Sequence, residues 1–358
     1  MTRILFVLKF RENSYGGESA QYSRCLTSGL LNSATFVCDM LKSRFETKLV
    51  QVVDNNCIDR EVVAFAPDVV VIEAYWVVPE KFAELGKLHP KVKWIIRNHS
   101  NAPFLANEGI AYGWTIDYVR HPNVWVSSNH PAAHGEFVDL IAVAFDTKIG
   151  QASRRAVYLP NYYPIAGEVE PSAPYAGRGT IDVGCFGAIR PLKNQMLQAL
   201  AAITWARQNG KFLRFHINGG RVEGNGEPIL KNLRSTLAAL ETARLVEHAW
   251  LDREDFLAMV KTMDLGLQVS FSETFNIVAA DFVTMGVPIV VSPEVHWVDA
   301  RLHASPTSVG SIVAAMSTAL NCPGWDWPDR SLAQLARFDE DSKIHWVNGI
   351  TRVLEDVK

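Results

Sequence analysis

Three stretches of the chain put charged or backbone-exposing residues directly behind short apolar runs. In Phe186-Gly187-Ala188-Ile189-Arg190-Pro191-Leu192-Lys193-Asn194, a glycine turn is followed by two cations three residues apart. A planar guanidinium and a compact ammonium together suit a diphosphate. In Ser270-Phe271-Ser272-Glu273-Thr274-Phe275-Asn276-Ile277, a carboxylate stands just ahead of a helical pattern expected from Phe275. Unpaired N–H groups at Phe275, Asn276 and Ile277 could hold phosphate oxygens, helped by the helix dipole. Asp281 follows Glu273 by eight residues, among Ile277, Val278, Ala279, Ala280, Phe282 and Val283. A carboxylate with such neighbours needs a partner. The third stretch, Phe10–Glu18, contains Tyr15-Gly16-Gly17, glycines that let the backbone approach an anion at a helix start. Each stretch also has a plainer reading: a solvated loop with two cations, an acid stabilising a helix end, and a tight turn.

The elements that would position these loops alternate. Arg3–Leu8, Lys48–Val53, Asp68–Glu73, Val92–Arg97 and Val124–Ser127 read as strands, with a helix at Glu18–Leu31 and helical patterns between several of the others. After a stretch rich in proline and glycine from Pro160 to Thr180, the alternation restarts. Strands are expected at Ile181–Ile189, Phe212–Asn218, Val246–Leu251, Leu265–Ser270 and Pro288–Ser292. Helices are expected at Gln195–Gln208, Pro228–Glu241, Asp252–Met263 and Phe275–Met285. Continuously apolar runs such as Val69-Val70-Val71-Ile72 point to parallel strands buried on both faces. The expectation is an α/β chain of two Rossmann-like domains facing across a central cleft. The first spans residues 1–165, the second 180–330, and a helical tail over 331–358 returns to the first. Ligands then bind beyond the carboxyl ends of the strands.

Composition narrows the function classes. The 358 residues are 48% hydrophobic and 20% charged, which supports two sizeable cores and excludes disorder. A net charge of -3 argues against a wholesale basic surface, although one local patch can still bind phosphate. No run reaches the length of a membrane span, so integral membrane association is not expected. Cys25, Cys38, Cys57, Cys185 and Cys322 are odd in number and form no CxxC pair, which suits reduced thiols in a cytoplasmic compartment.

The segment ETFNIVAADFVTMGVPIV, beginning at Glu273, resembles the E-x7-E region of retaining GT-B-fold glycosyltransferases, whose consensus is near EGFGLVxLEAMACGVPVV. FGAIRPLKN resembles that family's phosphate-binding loop, and LDREDFLAMVKTMDLGLQVS matches the helix and strand before the acidic motif. The match is good over Ile181–Ser292; the N-terminal half joins it through Gly16-Gly17 and His99. The resemblance implies a GT-B fold and hexosyl transfer, with glucose as default, from a UDP-sugar to an acceptor hydroxyl. No cofactor and no metal would be required. It further implies roles. Arg190 and Lys193 would neutralise the diphosphate, and Glu273 would hold sugar hydroxyls. Thr274, Phe275, Asn276 and Ile277 would line the phosphates, and Asp281 would bind the ribose. Trp250 and Leu251 would meet the base. Gly16 and Gly17 would approach the diphosphate from the first domain, with His99 near the transferred sugar. The catalytic set so implied is His99, Glu273, Lys193 and Arg190. Three departures stand out: Asp281 replaces the usual glutamate, Thr274 and Asn276 replace glycines, and the arginine lies three residues past Gly187 rather than one.

The acceptor stays open between a glycan, a lipid-linked sugar, a small molecule and a hydroxymethylated base in DNA, as in phage DNA glucosyltransferases. For DNA, Arg97, Arg120, Lys148, Arg154 and Arg155 would have to form a basic groove. Two other classes remain: a UDP-N-acetylhexosamine 2-epimerase and a non-catalytic nucleotide-sugar binder. Asp339-Glu340-Asp341 is expected to be helix N-terminal charge rather than a metal motif, and His130 with His134 lacks the zinc pattern. Trp325 and Trp327 are the tryptophans expected to form a surface feature.

Overall fold

A computed structural model describes residues 1–9, 29–165, 167, 169, 178–321 and 327–356. They form two compact units: one runs to Pro164 and resumes at Phe338, the other spans Ile165–Arg337.

The first unit comprises β1 (Arg3–Lys9), α1 (Gly29–Leu41), β2 (Glu46–Val52), α2 (Cys57–Phe65), β3 (Val69–Glu73), α3 (Lys81–Leu88), β4 (Lys93–Asn98), α4 (Ala102–Leu105), α5 (Ala111–Arg120), β5 (Val124–Ser128), α6 (Pro131–Ala144), α7 (Ile149–Ala152) and β6 (Ala156–Tyr158). Its six strands are parallel in the order β2-β1-β3-β4-β5-β6. Successive side chains of each strand feed opposite cores, as the two-residue strand period requires. Val70, Ile72, Trp94 and Ile96 enter one core. Val69, Val71, Ile95 and Trp125 enter the other, together with Trp346, Ile350 and Val353 from the chain's C-terminal helix. The Trp346 indole N–H donates to the Pro160 carbonyl at 2.7 Å, which fixes that helix on the sheet.

The second unit comprises β7 (Thr180–Gly184), a 3-10 turn at Pro191–Lys193, α8 (Gln195–Gln208), β8 (Phe212–Ile217), α9 (Glu227–Ala238), β9 (Ala243–Glu247), α10 (Arg253–Lys261), β10 (Leu265–Gln268), α11 (Ile277–Thr284), β11 (Ile289–Val291) and α12 (Val309–Asn321). α13 (Trp327–Glu355) begins here and ends in the first unit. The strand order is β11-β10-β7-β8-β9, all parallel. From β7 the chain moves outward to β8 and β9, then returns to place β10 on the other side of β7. The reversal lies between β7 and β10, where a doubly wound sheet opens a crevice beyond its strand ends.

Several boundaries differ from the sequence reading. The strand expected at Ile181–Ile189 ends at Gly184. A Cβ on Gly184 would come within 2.6 Å of the Phe186 ring and 2.9 Å of Phe282, so β7 tolerates no side chain there. The strand expected at Val246–Leu251 lies at Ala243–Glu247. It is an edge strand, where exposed Arg244 and Glu247 are compatible with pairing but break the apolar signal. β6 is three residues long and gave too little pattern to be read. Most of the helix expected at Glu18–Leu31 lies outside the described residues, and α1 covers Gly29–Leu41.

Candidate functional site

The topology brings two of the three chemistry-bearing loops together. The loop after β7 carries Arg190 and Lys193, and the loop after β10 carries Glu273, so both spring from neighbouring strands at the reversal. Gly187 has φ +118°, a conformation open to glycine, and donates its N–H to Asn218 Oδ1 at 2.9 Å. Lys193 closes the 3-10 turn, and its ammonium forms an ion pair with Glu273. The two side chains are 13% and 9% exposed, enough to be reached from solvent yet screened little by it.

A frame of buried amides holds this pair. Gln198 accepts from the Val269 N–H at 2.8 Å and donates to the Lys193 carbonyl at 2.8 Å. Asn194, at φ +57°, donates to the Val269 carbonyl at 3.0 Å and the Pro306 carbonyl at 2.8 Å. Gln268 ends β10 and donates to the Phe186 carbonyl at 3.0 Å while accepting from Asn276 at 3.0 Å. The Phe271 N–H donates to the Leu192 carbonyl at 2.9 Å. Such amides are costly to bury unpaired, about 1–3 kcal/mol per unmade bond, so they fix the two loops in one arrangement.

The helix behind Glu273 starts at Ile277, two residues later than expected. Asn276 caps it at φ +59°, its Oδ1 accepting from the Ala279 N–H at 2.9 Å. Phe275 is buried and its carbonyl accepts from Trp297 Nε1 at 2.8 Å; Thr274 is buried as well. Asp281, 2% exposed, has found its partner in Arg253, the first residue of α10, at 3.0 Å. Arg190 reaches Glu223 at 3.6 Å rather than joining Lys193, and Glu223 also pairs with Arg221. The Arg221 guanidinium lies 4.4 Å from the Trp250 ring centre. Trp250 and Leu251 follow β9 in the β9–α10 loop, half-buried. Arg221, Glu223 and Arg253 were missed in the sequence because an isolated charge in a loop or at a helix start carries no periodic signal. Gln198 and Gln268 read there as ordinary polar residues.

In the first unit, His99 follows β4 and its Nε2 lies 2.5 Å from Glu73 Oε2 at the end of β3. Gly16 and Gly17 lie outside the described residues, as does Trp325; of the Trp327 side chain nothing is described.

Two residues offered for a DNA groove are committed elsewhere. Arg97 is fully buried. The Arg155 guanidinium donates to the carbonyls of Pro122, Val119, His121 and Val124 at 2.5–3.3 Å and lies 4.7 Å from the Trp125 ring centre. Arg120 pairs with Asp117 at 3.2 Å, while Lys148 sits ahead of α7 and Arg154 is exposed. Asp339-Glu340-Asp341 lies inside α13, not at its start. Asp339 is buried and accepts the Tyr163 N–H at 2.9 Å; burial pushes its carboxyl up to about 7. His130 caps α6 by accepting from the Ala132 N–H at 3.3 Å. Among the described residues no cluster of His, Cys, Asp and Glu is arranged to hold a metal, and no helix is long and apolar enough to cross a membrane.

No family model and no curated protein matches the chain. Solved structures do match in shape. An α,α-trehalose-phosphate synthase (UDP-forming) from Burkholderia vietnamiensis is 14% identical, with 100% of this chain and 99% of that one covered at a TM-score of 0.66. HepE from Anabaena, in complex with UDP and glucose, is 12% identical, with both chains fully covered at 0.58. TarM from S. aureus, in a complex that includes UDP, is 11% identical at a TM-score of 0.57, with 80% of this chain covered; the present chain spans 55% of that longer protein. The likeness is one of fold, and with two parallel-stranded α/β units the chain has the GT-B fold that these structures share.

Proposed function

We propose that the protein is a retaining glycosyltransferase that moves a hexosyl group, glucose first among candidates, from a UDP-sugar to an acceptor hydroxyl. The observation that carries this is the Lys193–Glu273 pair, set by a buried amide frame at the strand reversal of the second unit. The likeness in fold to HepE with UDP and glucose supports the choice of donor.

Transfer breaks the bond between the anomeric carbon and the phosphate oxygen. The diphosphate gains negative charge as it leaves, and the sugar becomes oxocarbenium-like. Lys193 would meet that growing charge, which requires its ammonium to exchange Glu273 for a diphosphate oxygen. Glu273, once released, would accept hydrogen bonds from sugar hydroxyls and orient the anomeric carbon. Arg190 would approach the same diphosphate by leaving Glu223. The Trp250 and Leu251 loop would meet the base. Asp281 would reach ribose hydroxyls beside Arg253, and His99 would contact the transferred sugar. No metal is needed in this scheme, because the leaving charge falls on side-chain cations. The described thiols of Cys38, Cys57 and Cys185 are free, in keeping with a reducing, cytoplasmic setting.

The test is incubation with a panel of UDP- and GDP-sugars, with sugar, lipid-linked and hydroxymethylated-DNA acceptors in separate arms, followed by mass spectrometry. Release of UDP with a glycosylated acceptor is the expected outcome. Conversion of one free UDP-sugar into its epimer would replace the transferase with an epimerase. Binding without turnover in every arm would leave a nucleotide-sugar binder.

A further inference from the structure

Three neighbouring strands of the second unit carry a chain of hydrogen bonds between ionisable side chains. Asp182 lies in β7, Arg214 and His216 lie in β8, and His248 follows β9. Asp182 and Arg214 are paired residue for residue in the β7–β8 register. Asp182 Oδ2 accepts from the Arg214 guanidinium, and Asp182 Oδ1 lies 2.8 Å from His216 Nε2. His216 Nδ1 in turn lies 2.9 Å from His248 Nε2. The two imidazole planes are 13° apart and their centres 5.2 Å apart, so the rings lie edge to edge, the alignment an N–H···N bond needs. Asp182 and His216 are buried, whereas His248 is half-buried and its Nδ1 has no partner among the described residues.

The carboxylate decides where the protons sit. Burial pushes the Asp182 carboxyl up, but the hydrogen bonds from His216 and Arg214 and the Arg214 charge outweigh it and hold it below the ordinary carboxylate value. Burial, and then the charge of His216, pull His248 below the ordinary imidazole value. With both rings neutral, as imidazoles are at about pH 8, Asp182 can only accept, so His216 carries its proton on Nε2 and a lone pair on Nδ1. His248 must answer that lone pair with its own Nε2–H, which leaves a lone pair on the His248 Nδ1.

The strand order says what that lone pair would meet. Along the carboxyl ends of β10, β7, β8 and β9 stand, in turn, Glu273, Lys193, Arg221 and then His248 with Trp250. A nucleotide sugar laid with its sugar at Glu273 and its diphosphate at Lys193 sends its base toward β9, about 10 Å from β7 at the spacing of neighbouring strands. We propose that His248 is a base-specificity residue: Asp182 and His216 are positioning residues that lock its tautomer, and its Nδ1 accepts the ring N–H of uracil, a role that rests on the donor reading above. Cytosine carries a lone pair at the same ring nitrogen and would set it against the lone pair of Nδ1. Asp182→Asn reverses the chain. Arg214 claims the new amide's oxygen, so its NH2 turns to His216 Nε2, which must then accept. The His216 proton moves to Nδ1 and points at His248 Nε2, and the His248 proton moves to Nδ1, which becomes a donor.

The test joins a spectrum to a pair of affinities. Long-range 1H–15N correlations on histidine-labelled protein at about pH 8 report the tautomer of each ring, with His216→Asn and His248→Ala assigning the signals. The expected result is Nε2–H on both rings in the wild type and Nδ1–H on both in Asp182→Asn. Calorimetric titrations should show the wild type binding UDP at least about tenfold more tightly than CDP, and that ratio falling to within about threefold in Asp182→Asn and His248→Ala. Nδ1–H on His248 in the wild type overturns the proposal, as does equal binding of UDP and CDP by the wild type, or a preference for UDP that either variant leaves intact. If Asp182→Asn does not fold, the wild-type spectrum and His248→Ala, a change in a half-buried loop residue, still decide. Failure of the wild type to bind either nucleotide would instead sink the donor reading, and the base role with it, whereas the spectrum is recorded without ligand and is judged separately.

Discussion

The two units carry ion pairs around the carboxyl ends of their sheets, yet these pairs differ in how far they are sealed from solvent. In the first unit Glu73 and Arg97 are sealed from solvent, and every direction around Arg97 is filled by carbonyls, an amide oxygen or an indole face. In the second unit Lys193–Glu273, Arg190–Glu223 and Arg253–Asp281 each keep one or both members partly exposed. A sealed pair cannot exchange its partner without leaving a buried charge alone, which is strongly unfavourable. A half-open pair can exchange an acid for an anionic ligand at little cost. The difference separates a sealed cluster that is fixed by the fold from half-open pairs whose members can be exchanged.

The contrast can be broken by removing one charge from each kind of pair. Arg97→Ala should cost about 3–5 kcal/mol, since Glu73 is left buried without its cation. A thermal melt would show it, and a loss below about 1 kcal/mol would put both units on the same footing. Lys193→Ala and Glu273→Ala should each lower turnover by about 100-fold or more, equivalent to roughly 3 kcal/mol in the barrier, with little change in the melt. Near-wild-type rates in either would remove the donor site from this position. Arg253→Ala is the intermediate case. It strands Asp281, whose side chain is 3% exposed, but its own side chain is 25% exposed, so a stability loss of about 1 kcal/mol is expected from chemical denaturation.

The smallest effect concerns Asp339, whose burial outweighs the nearby charge of Lys343. Its folded-state value of about 7 lies above the ordinary 3.8, so the folded chain holds a proton that the unfolded chain gives up. The stabilisation is full below about pH 4 and is lost as pH rises through 7. Asp339→Asn should therefore melt about 3 °C higher than the wild type at pH 8 and show no gain at pH 4. A gain that is equal at both values would mean that Asp339 titrates normally.

The uneven legibility of the chain follows the same physical line. Strands buried on both faces, such as β1 with Ile4–Leu8 and β3 with Val69–Ile72, announce themselves by unbroken apolar runs, and α8 was readable to its ends at Gln195 and Gln208. Edge strands β6 and β9 were missed or displaced because their short length or exposed charges dilute that signal. In the candidate site, Lys193 and Glu273 were legible because each follows a strand and precedes a helical turn, and the fold brings them into contact. The partners of Arg190 and Asp281, which are Glu223 and Arg253, were not, because they come from other parts of the chain and only the strand order makes them neighbours. Arg97, a candidate for the basic groove, is buried instead. A charge inside a buried strand looks like any other charge until its carbonyl and carboxylate partners are in view.

Calorimetric titration of UDP into the wild type, Lys193→Ala and Glu273→Ala tests the central claim most directly, because Lys193 must leave Glu273 to take a diphosphate. The expected result is saturable binding of one UDP to the wild type, an affinity at least about tenfold weaker in Lys193→Ala, and an affinity equal or tighter in Glu273→Ala, where the lysine is released in advance. No binding to the wild type, or UDP affinity indifferent to Lys193→Ala, would contradict it.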